Sequence, residues 1–262
     1  MIHAVPDILS RIVDHKRAEL AERRPRLGEL ERLAEQAGSR RRDFCAALRA
    51  ESPAIIAEVK KASPSKGLLA SDFDPRRIAR TYSEGGAAAL SVLTDEQFFQ
   101  GGLDDLEAAR AECSIPVLRK DFTIDEFHVV EAAAAGADAI LLIAAILTSS
   151  QMRRFRELAA SYGMAALVEV HEEEELKAAL DSGPEVIGVN NRNLHDFSVS
   201  LDTSNRLAEQ IPAGTLKVSE SGIRDNADVR RLMQAGFQAF LVGEHLMKSG
   251  DPARALRELA GR

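Results

Sequence analysis

Several features that would place the chain in a special class are scarce in its sequence. The two cysteines, Cys45 and Cys113, show no CxxC or CxxH spacing, and one pair does not support a disulfide framework, so we expect reduced thiols. The longest apolar run, 139–147, is far too short to span a bilayer, and residues 1–10 lack the basic and apolar regions of a signal peptide. These absences predict a cytoplasmic protein.

Positive charge is also in deficit. The chain has 34 Lys and Arg residues against 41 Asp and Glu residues, which gives a formal charge of -7. A general binder of nucleic acid or of anionic membranes must neutralise phosphates, so this balance argues against both kinds of partner. The 262 residues are 45% hydrophobic and 29% charged, which suffices for one sizeable core. We therefore expect a globular protein that binds any anion at a local positive site.

Nucleotide-binding glycine loops are missing too, since neither GxGxxG nor GxxxxGKS/T occurs. A different glycine pattern is present, in which a helical stretch ends at a glycine and a short apolar run follows. This pattern occurs at Gly86, Gly136, Gly183 and Gly236. A second set of strand-like runs alternates with the first, at 54–60, 115–120, 164–169 and 216–221. Each of the four glycines suits a left-handed residue that ends a helix before the next strand.

Eight short strands separated by amphipathic helical stretches give a βα unit roughly every 25 residues, which is typical of parallel βαβ construction. The number of units favours an α/β fold of the (β/α)8 TIM barrel type over a doubly wound sheet, which usually has fewer strands. Before the barrel, the apolar residues between Ile8 and Val13 follow helical spacing. We predict an N-terminal helical extension over residues 1–50, which helps to cover the barrel mouth, and a catalytic barrel over residues 51–262.

Polar residues stand at the ends of the predicted strands, where barrels of this type carry their functional groups. Every odd strand and one even strand ends in such residues, namely Glu58 and Lys60, Lys120, Glu169, Asn190, and Glu220 with Ser221. Glu58 and Lys60 are two residues apart, so their side chains share one face of the strand. A single charge at a strand end can simply face solvent. Several charges that converge would shift one another's pKa values and favour proton transfer.

Two glycines follow the ends of the last two strands. Gly222 and Gly243 lie where barrels commonly bind a phosphate through backbone N–H groups, and glycine lets the backbone approach closely. Either one alone could be an ordinary turn glycine, whereas two at successive strand ends favour a cradle for an anion. His171 precedes an acidic run, 172–175, which we interpret as a solvated helix start rather than a metal site.

The segment IAEVKKASPSKG, at 56–67, closely resembles the signature segment of the indole-3-glycerol phosphate synthase family. Further segments resemble that family in the same order, at 91–101, 116–122, 167–171, 187–194, 218–223 and 240–247. The opening residues 8–16 are similar to the family's N-terminal helical extension. The resemblance therefore covers essentially the whole chain.

The resemblance implies an enzyme of tryptophan biosynthesis that closes the ring of 1-(2-carboxyphenylamino)-1-deoxyribulose 5-phosphate. The product is indole-3-glycerol phosphate, and CO2 and water are released. By motif position, Lys120 matches the general acid, while Glu58 and Glu169 match catalytic carboxylates. Lys60 matches a lysine that contacts the substrate and can protonate the departing hydroxyl. The division of steps among these four residues stays open.

The resemblance also implies how the substrate is bound. The positions that orient it correspond to Asn190, Glu220 and Ser221. Ser63 lies in the family's substrate loop, and Gly222 and Gly243 match the phosphate cradle. The implied partner is a small sugar phosphate, and neither a cofactor nor a metal is implied.

One position departs from the pattern, because Glu244 stands where some relatives carry serine. A carboxylate beside a phosphate would repel it unless it points away. We therefore expect only the backbone N–H of Glu244 to contact a phosphate, and its side chain receives no role.

Two other functions remain open. Phosphoribosylanthranilate isomerase is a neighbouring barrel enzyme with a similar substrate, but that family places a catalytic cysteine at the end of the first strand, where this sequence has Glu58 and Lys60. The second alternative is a non-catalytic phosphate-binding barrel that acts as a scaffold or sensor. The set of Lys and Glu residues argues against it, and the motifs set no oligomeric state.

Overall fold

The computed structural model describes residues 7–70 and 72–262, and eight of its strands close into a parallel barrel. The barrel strands are β1 (Ala54–Val59), β2 (Ala89–Leu93), β3 (Val117–Lys120), β4 (Ala139–Ile143), β5 (Ala165–Val170), β6 (Val186–Asn190), β7 (Leu216–Glu220) and β8 (Ala239–Val242). Each strand pairs with the next in the chain, and β8 pairs with β1, with Ala54 opposite Ala239. The predicted (β/α)8 fold is confirmed.

Helices precede the barrel and connect its strands. They are α1 (Asp7–Arg23), α2 (Leu27–Ala37), α3 (Phe44–Ala50), α4 (Pro75–Glu84), α5 (Glu96–Phe99), α6 (Leu103–Ala111), α7 (Glu126–Ala134), α8 (Ser149–Ser161), α9 (Glu173–Asp181), α10 (Asp202–Ala208), α11 (Asn226–Gln234), α12 (Glu244–Met247) and α13 (Pro252–Ala260). The four recurring glycines have φ between 74° and 92°, so the predicted left-handed helix ends are confirmed.

Two apolar layers hold the barrel together. The outer layer lies between strands and helices, where Val168 and Ile187 pack with helix residues such as Phe127 and Leu232. The inner layer fills the barrel with residues including Leu118 and with Phe44 and Leu48 of α3. Alternate residues of each strand face the two layers, because successive strand side chains point to opposite faces.

The segment before β1 is helical, as predicted, over the part of it that the structure describes. α2 packs against α7, and the Arg41 guanidinium donates to the carbonyls of Ala137 and Tyr162 at 2.8 and 3.1 Å. The domain boundary at residue 50 stays a prediction, and residues 1–6 of the predicted extension lie outside the described residues. Within residues 7–70 and 72–262, no helix is both long and apolar enough to cross a membrane.

A buried group of charges, which we call the anchor cluster, fastens α1 to the barrel. It consists of Lys16, Asp95, Arg119, Asp121 and Glu131. The Lys16 Nζ atom lies 3.0 Å from a carboxylate oxygen of Asp95 and 3.0 Å from one of Asp121. Arg119 lies 3.0 Å from Asp121 and 2.8 Å from Glu131. A buried ion pair needs such neighbours, because each charge has lost its hydration.

Candidate active site

A pocket opens at the carboxyl ends of the barrel strands, and all eleven predicted site residues line it. They are Glu58, Lys60, Ser63, Lys120, Glu169, Asn190, Glu220, Ser221, Gly222, Gly243 and Glu244. Strand parity explains why they converge, since the inner layer contains Ile56, Leu118 and Leu167, each two residues before one of the charged residues. The same parity sends Arg119, between Leu118 and Lys120, outward into the anchor cluster.

Lys120 stands at the centre of the charged groups. Its Nζ atom donates to Glu169 Oε2 at 2.6 Å and lies 3.3 Å from Glu220 Oε2. Asn190 Nδ2 donates to the other oxygen of Glu169 at 3.3 Å. Glu220 Oε1, in contrast, is buried and has no hydrogen-bond donor among the described residues. The single ammonium of Lys120 therefore contacts two carboxylates, and its contact with Glu169 is the shorter of the two.

The pKa values follow from this unequal sharing. Burial alone would lower the pKa of Lys120, but the negative charges of Glu169, Glu220 and Glu58 outweigh burial and raise it. Burial would raise the pKa of Glu169, but the charges of Lys120 and His171 hold it well below its usual range. Burial, reinforced by repulsion from Glu169, outweighs Lys120 at Glu220 and raises the pKa of that carboxyl to about 8. Glu220 can therefore exchange a proton near neutral pH.

Two glycines make room for two of these carboxylates. A Cβ atom at Gly188 in β6 would overlap Glu220 Oε1, and a Cβ atom at Gly243 would overlap Glu58 Oε2. Glu58 in turn accepts a hydrogen bond from Lys60. Any larger residue at either glycine would displace a charged group of the site. Gly188 is not among the residues expected from the sequence. Gly243 is, but as part of an anion site rather than as space for Glu58.

The turn after β7, at the rim of the pocket beside β8, has an unusual backbone conformation. Ser221 and Gly222 both adopt left-handed backbone, with φ of 67° and 82°. A serine rarely occupies this region, so the turn is a strained one of the kind found at functional sites.

Cations surround Glu244 at the same rim. Its carboxylate lies 2.7 Å from Lys248, 3.6 Å from Lys66 and 4.0 Å from Arg192. The hydrogen bond from Lys248 is the main reason that the pKa of Glu244 is lowered. Lys66 and Arg192 line the pocket and were not assigned from the sequence. The Glu244 carboxylate thus neutralises part of the positive charge at this rim, which would otherwise attract an incoming anion.

The N-terminal segment and the loops complete the pocket. Ile8, Leu9 and Ile12 of α1 line it, which supports the expectation that this segment helps to cover the mouth. Phe99 lines the pocket as well, whereas Phe98 packs edge-on against His15 with ring centroids 5.8 Å apart. Ser63 lies on a two-stranded hairpin, Ala62–Ser63 with Gly67–Leu68, directly after β1.

His171 follows β5 and does not face solvent as its acidic neighbours suggested. It contacts Glu169 on one side and Glu175 on the other. Glu173 and Glu174 are exposed, as expected, but Glu175 is turned toward the ring. No group of three or more His, Cys, Asp or Glu side chains suited to a metal occurs in the part of the chain that the structure describes.

Fold and site together define a class, the (β/α)8-barrel enzymes that carry a group of acids and bases at the carboxyl ends of their strands. The family model described as indole-3-glycerol phosphate synthase matches residues 9–259. This chain belongs to that family, which confirms the resemblance seen in the sequence.

Curated relatives agree over nearly the full length. The chain is 53% identical to an indole-3-glycerol phosphate synthase of Polaromonas naphthalenivorans over an alignment of 264 positions, which covers 97% of this chain and 99% of the relative. It is 52% identical to the protein of that name from Chromobacterium violaceum, with 97% of each chain covered.

More distant solved structures share the fold alone. An N-acetylmannosamine-6-phosphate 2-epimerase from Clostridium perfringens is 16% identical with a TM-score of 0.60, and the match covers 82% of this chain and 95% of the other. A thiamine phosphate pyrophosphorylase from Pyrococcus furiosus is 17% identical with a TM-score of 0.58, and the match covers 80% and 94% of the two chains.

Proposed function

We propose that this protein closes the indole ring of 1-(2-carboxyphenylamino)-1-deoxyribulose 5-phosphate, giving indole-3-glycerol phosphate, CO2 and water as a step of tryptophan biosynthesis. Its relatives carry the name of this activity. The proposal rests mainly on the position of the Lys120 ammonium, which lies between Glu169 and Glu220 in the pocket. The reaction needs a proton donor and a proton acceptor within reach of one bound molecule, and this arrangement supplies both.

Lys120 acts as the acid in the first step. The ring carbon that bears the carboxylate attacks the ketone carbon, and the carbonyl oxygen takes a proton from the Lys120 ammonium as its negative charge develops. An alkoxide is strongly basic, so a donor with a raised pKa can still protonate it while remaining charged before reaction.

The later steps release the two small products. Loss of CO2 leaves the bonding electrons in the ring and restores its aromaticity. The new hydroxyl then departs as water with a proton from Lys60, and Glu169 accepts a proton from the ring-closed intermediate. Glu58 is paired with Lys60 and holds that lysine at the site of departure. Asn190, Glu220 and Ser221 orient the substrate in this proposal.

The phosphate of the substrate is assigned to the rim beside β7 and β8. Ser221, Gly222 and Gly243 present backbone groups there, and Lys66 and Arg192 add positive charge. The loop that carries Ser63 and Lys66 borders the same rim, because it follows β1, which pairs with β8, and Lys66 lies 3.6 Å from Glu244. The backbone N–H of Glu244 is the proposed contact of that residue, because its side chain already accepts from Lys248.

Turnover with the carboxyphenylamino sugar phosphate tests the proposal. Indole product, followed by its fluorescence, and CO2 should appear in equal amounts, because one decarboxylation accompanies each ring closure. An isomerase would instead form this sugar phosphate from its phosphoribosyl precursor without gas, and a silent barrel would bind it unchanged. Either of those results at high protein concentration would reject the assignment. The cytoplasmic location remains a prediction from the sequence.

A further inference from the structure

A histidine outside the proposed reaction touches its central carboxylate. His171 lies in the loop between β5 and α9, and only 9% of its side chain is exposed. Its Nε2 atom lies 3.3 Å from Glu169 Oε1, at an ion-pair distance without the alignment of a full hydrogen bond. Its Nδ1 atom lies 3.0 Å from Glu175 Oε2, which also accepts the His171 backbone N–H at 2.7 Å. The ring is thus held between two carboxylates.

The two partners determine the protonation state of the ring. A neutral imidazole has one N–H donor and one bare nitrogen, whereas an imidazolium has two donors. With a carboxylate at each nitrogen, a neutral ring would set a lone pair against an oxygen of Glu169 or Glu175. Both contacts are favourable only when both nitrogens carry protons.

Burial opposes that charge, but the carboxylates outweigh it. Burial would lower the pKa of His171, whereas its contacts with Glu169 and Glu175 raise the pKa to about 10. These are the charged groups that act on the ring from β5 and α9. The turn Ala144–Ile146, which packs against α9, is apolar, and Asn190 on β6 is not titratable. On α8, Arg153 is directed to the far end of α9, where it donates to the Asp181 carbonyl.

We propose that His171, oriented by Glu175, is a positioning residue that acts as a second cation on Glu169. The inference rests on the proposed ring closure, in which Glu169 accepts a proton. Lys120 holds one oxygen of Glu169, while His171 and Asn190 hold the other. This arrangement fixes the carboxylate in one orientation. The second positive charge also keeps Glu169 ionised, so that Glu169 does not take the proton that Lys120 gives to the substrate.

The test combines kinetics with a spectroscopic measurement of the ring. His171→Asn keeps an amide only near the position of Nδ1, beside Glu175, and removes both the positive charge and the Nε2 contact with Glu169. It should lower kcat about tenfold to a hundredfold with KM within about threefold of wild type. Glu175→Gln leaves the histidine in place and should lower kcat by a smaller factor. Glu174→Gln makes the same change of charge on the exposed side of the same helical turn, and should leave both constants unchanged.

Nitrogen NMR of the His171 ring separates positioning from simple support of the fold. Both ring nitrogens should be protonated at pH 8 in wild type, with a titration midpoint near 10. In Glu175→Gln the midpoint should fall by at least about one pH unit, because one of the two carboxylates is lost, and in Glu174→Gln it should not move.

The outcomes distinguish this inference from the proposed function. A wild-type protein that closes the ring while His171 is neutral at pH 8, or a His171→Asn variant with wild-type kcat, would overturn the inference alone. A doubly protonated His171 in a protein that does not close the ring would overturn the proposed function, and with it the catalytic part of the inference, but not the inferred charge and orientation of the ring. If His171→Asn does not fold, Glu175→Gln and the wild-type titration still decide the matter.

Discussion

Two buried charge clusters lie on opposite faces of the same strand, and one carboxylate of each, Asp121 and Glu220, differs in how well it is supplied with donors. In the anchor cluster, Asp121 receives Lys16, Arg119, the Thr94 hydroxyl at 2.6 Å and the Phe122 N–H at 2.8 Å. Burial would raise the pKa of Asp121, yet Arg119 and Lys16 hold it far below its usual range. Asp121 is therefore ionised and has no proton to exchange near neutral pH.

The mouth cluster, formed by Glu58, Lys60, Lys120, Glu169 and Glu220, is the opposite case. Glu220 has a single cation at 3.3 Å and an oxygen without a donor among the described residues, and its pKa rises to about 8. Burial is similar in the two clusters, since Asp121 is 5% exposed and Glu220 is 1% exposed. Burial alone therefore does not make a group reactive. Burial raises the pKa of Glu220 because too few cations and donors offset it, whereas those around Asp121 do offset it.

The largest expected effect separates the clusters by activity. Lys120→Met should lower kcat by about a thousandfold or more, because it removes the proton donor of the ring closure. Substrate should still bind, because the lost contact matters most in the transition state. Steady-state kinetics and equilibrium binding check both statements, and Lys177→Met, at an exposed position on α9, is the control. Near-normal turnover of Lys120→Met would remove Lys120 from the mechanism.

The matching change in the anchor cluster should act on stability. Lys16→Met leaves Asp95 and Asp121 buried without their shared ammonium, and should lower the free energy of unfolding by about 3–5 kcal/mol. Its kcat, measured well below the unfolding transition, should stay within about tenfold of wild type, because Lys16 touches no proposed substrate contact. Denaturant unfolding gives the comparison with Lys177→Met. A Lys16→Met variant that lost activity without losing stability would contradict a purely structural role of the anchor cluster.

A single methyl group should disturb the mouth cluster without removing any charge. Gly188→Ala places a carbon where Glu220 Oε1 lies, and should lower kcat by about 30- to 100-fold through displacement of that carboxylate. Gly28→Ala is the control, since a Cβ at Gly28 in α2 would meet no atom within 4 Å. Equal activities of the two variants would show that the space beside Glu220 is not needed.

The smallest effect concerns stability and pH. The pKa of Glu220 is about 8 in the folded protein against an ordinary value of 4.5, so ionisation of Glu220 costs the folded state stability. This cost is absent below pH 4.5, grows as the pH rises toward 8 and is constant above it. Glu220→Gln should therefore have a higher free energy of unfolding than wild type above pH 8, and the difference should vanish near pH 4. A gain that did not change with pH would have another cause.

Much of the fold could be predicted from the sequence because its signals are local. Glycines such as Gly86 and Gly136 end helices through their own backbone conformation, and strand parity is enough to place Lys120 and Glu169 on the inner face. The resemblance to the family assigned roles to residues that the structure brings into one pocket.

The remaining features depend on contacts between distant parts of the chain. Nothing near Gly188 in the sequence shows that Glu220 fills the space beside it, and nothing near Lys16 points to Asp95 or Asp121. The acidic run after His171 resembles an ordinary helix start, and only the backbone path turns Glu175 back to the ring. These features follow from tertiary packing, which local patterns do not encode.

The contrast between Glu220 and Asp121 can be measured directly, because we expect Glu220, which lacks donors, to titrate near neutral pH and Asp121 not to. Carbon NMR of carboxyl-labelled glutamate and aspartate, assigned with Glu220→Gln and Asp121→Asn, measures both groups in the free protein. We expect a Glu220 midpoint near 8 and an Asp121 signal that stays ionised down to the acid limit of the fold. A Glu220 midpoint at its ordinary value of 4.5 would contradict this expectation.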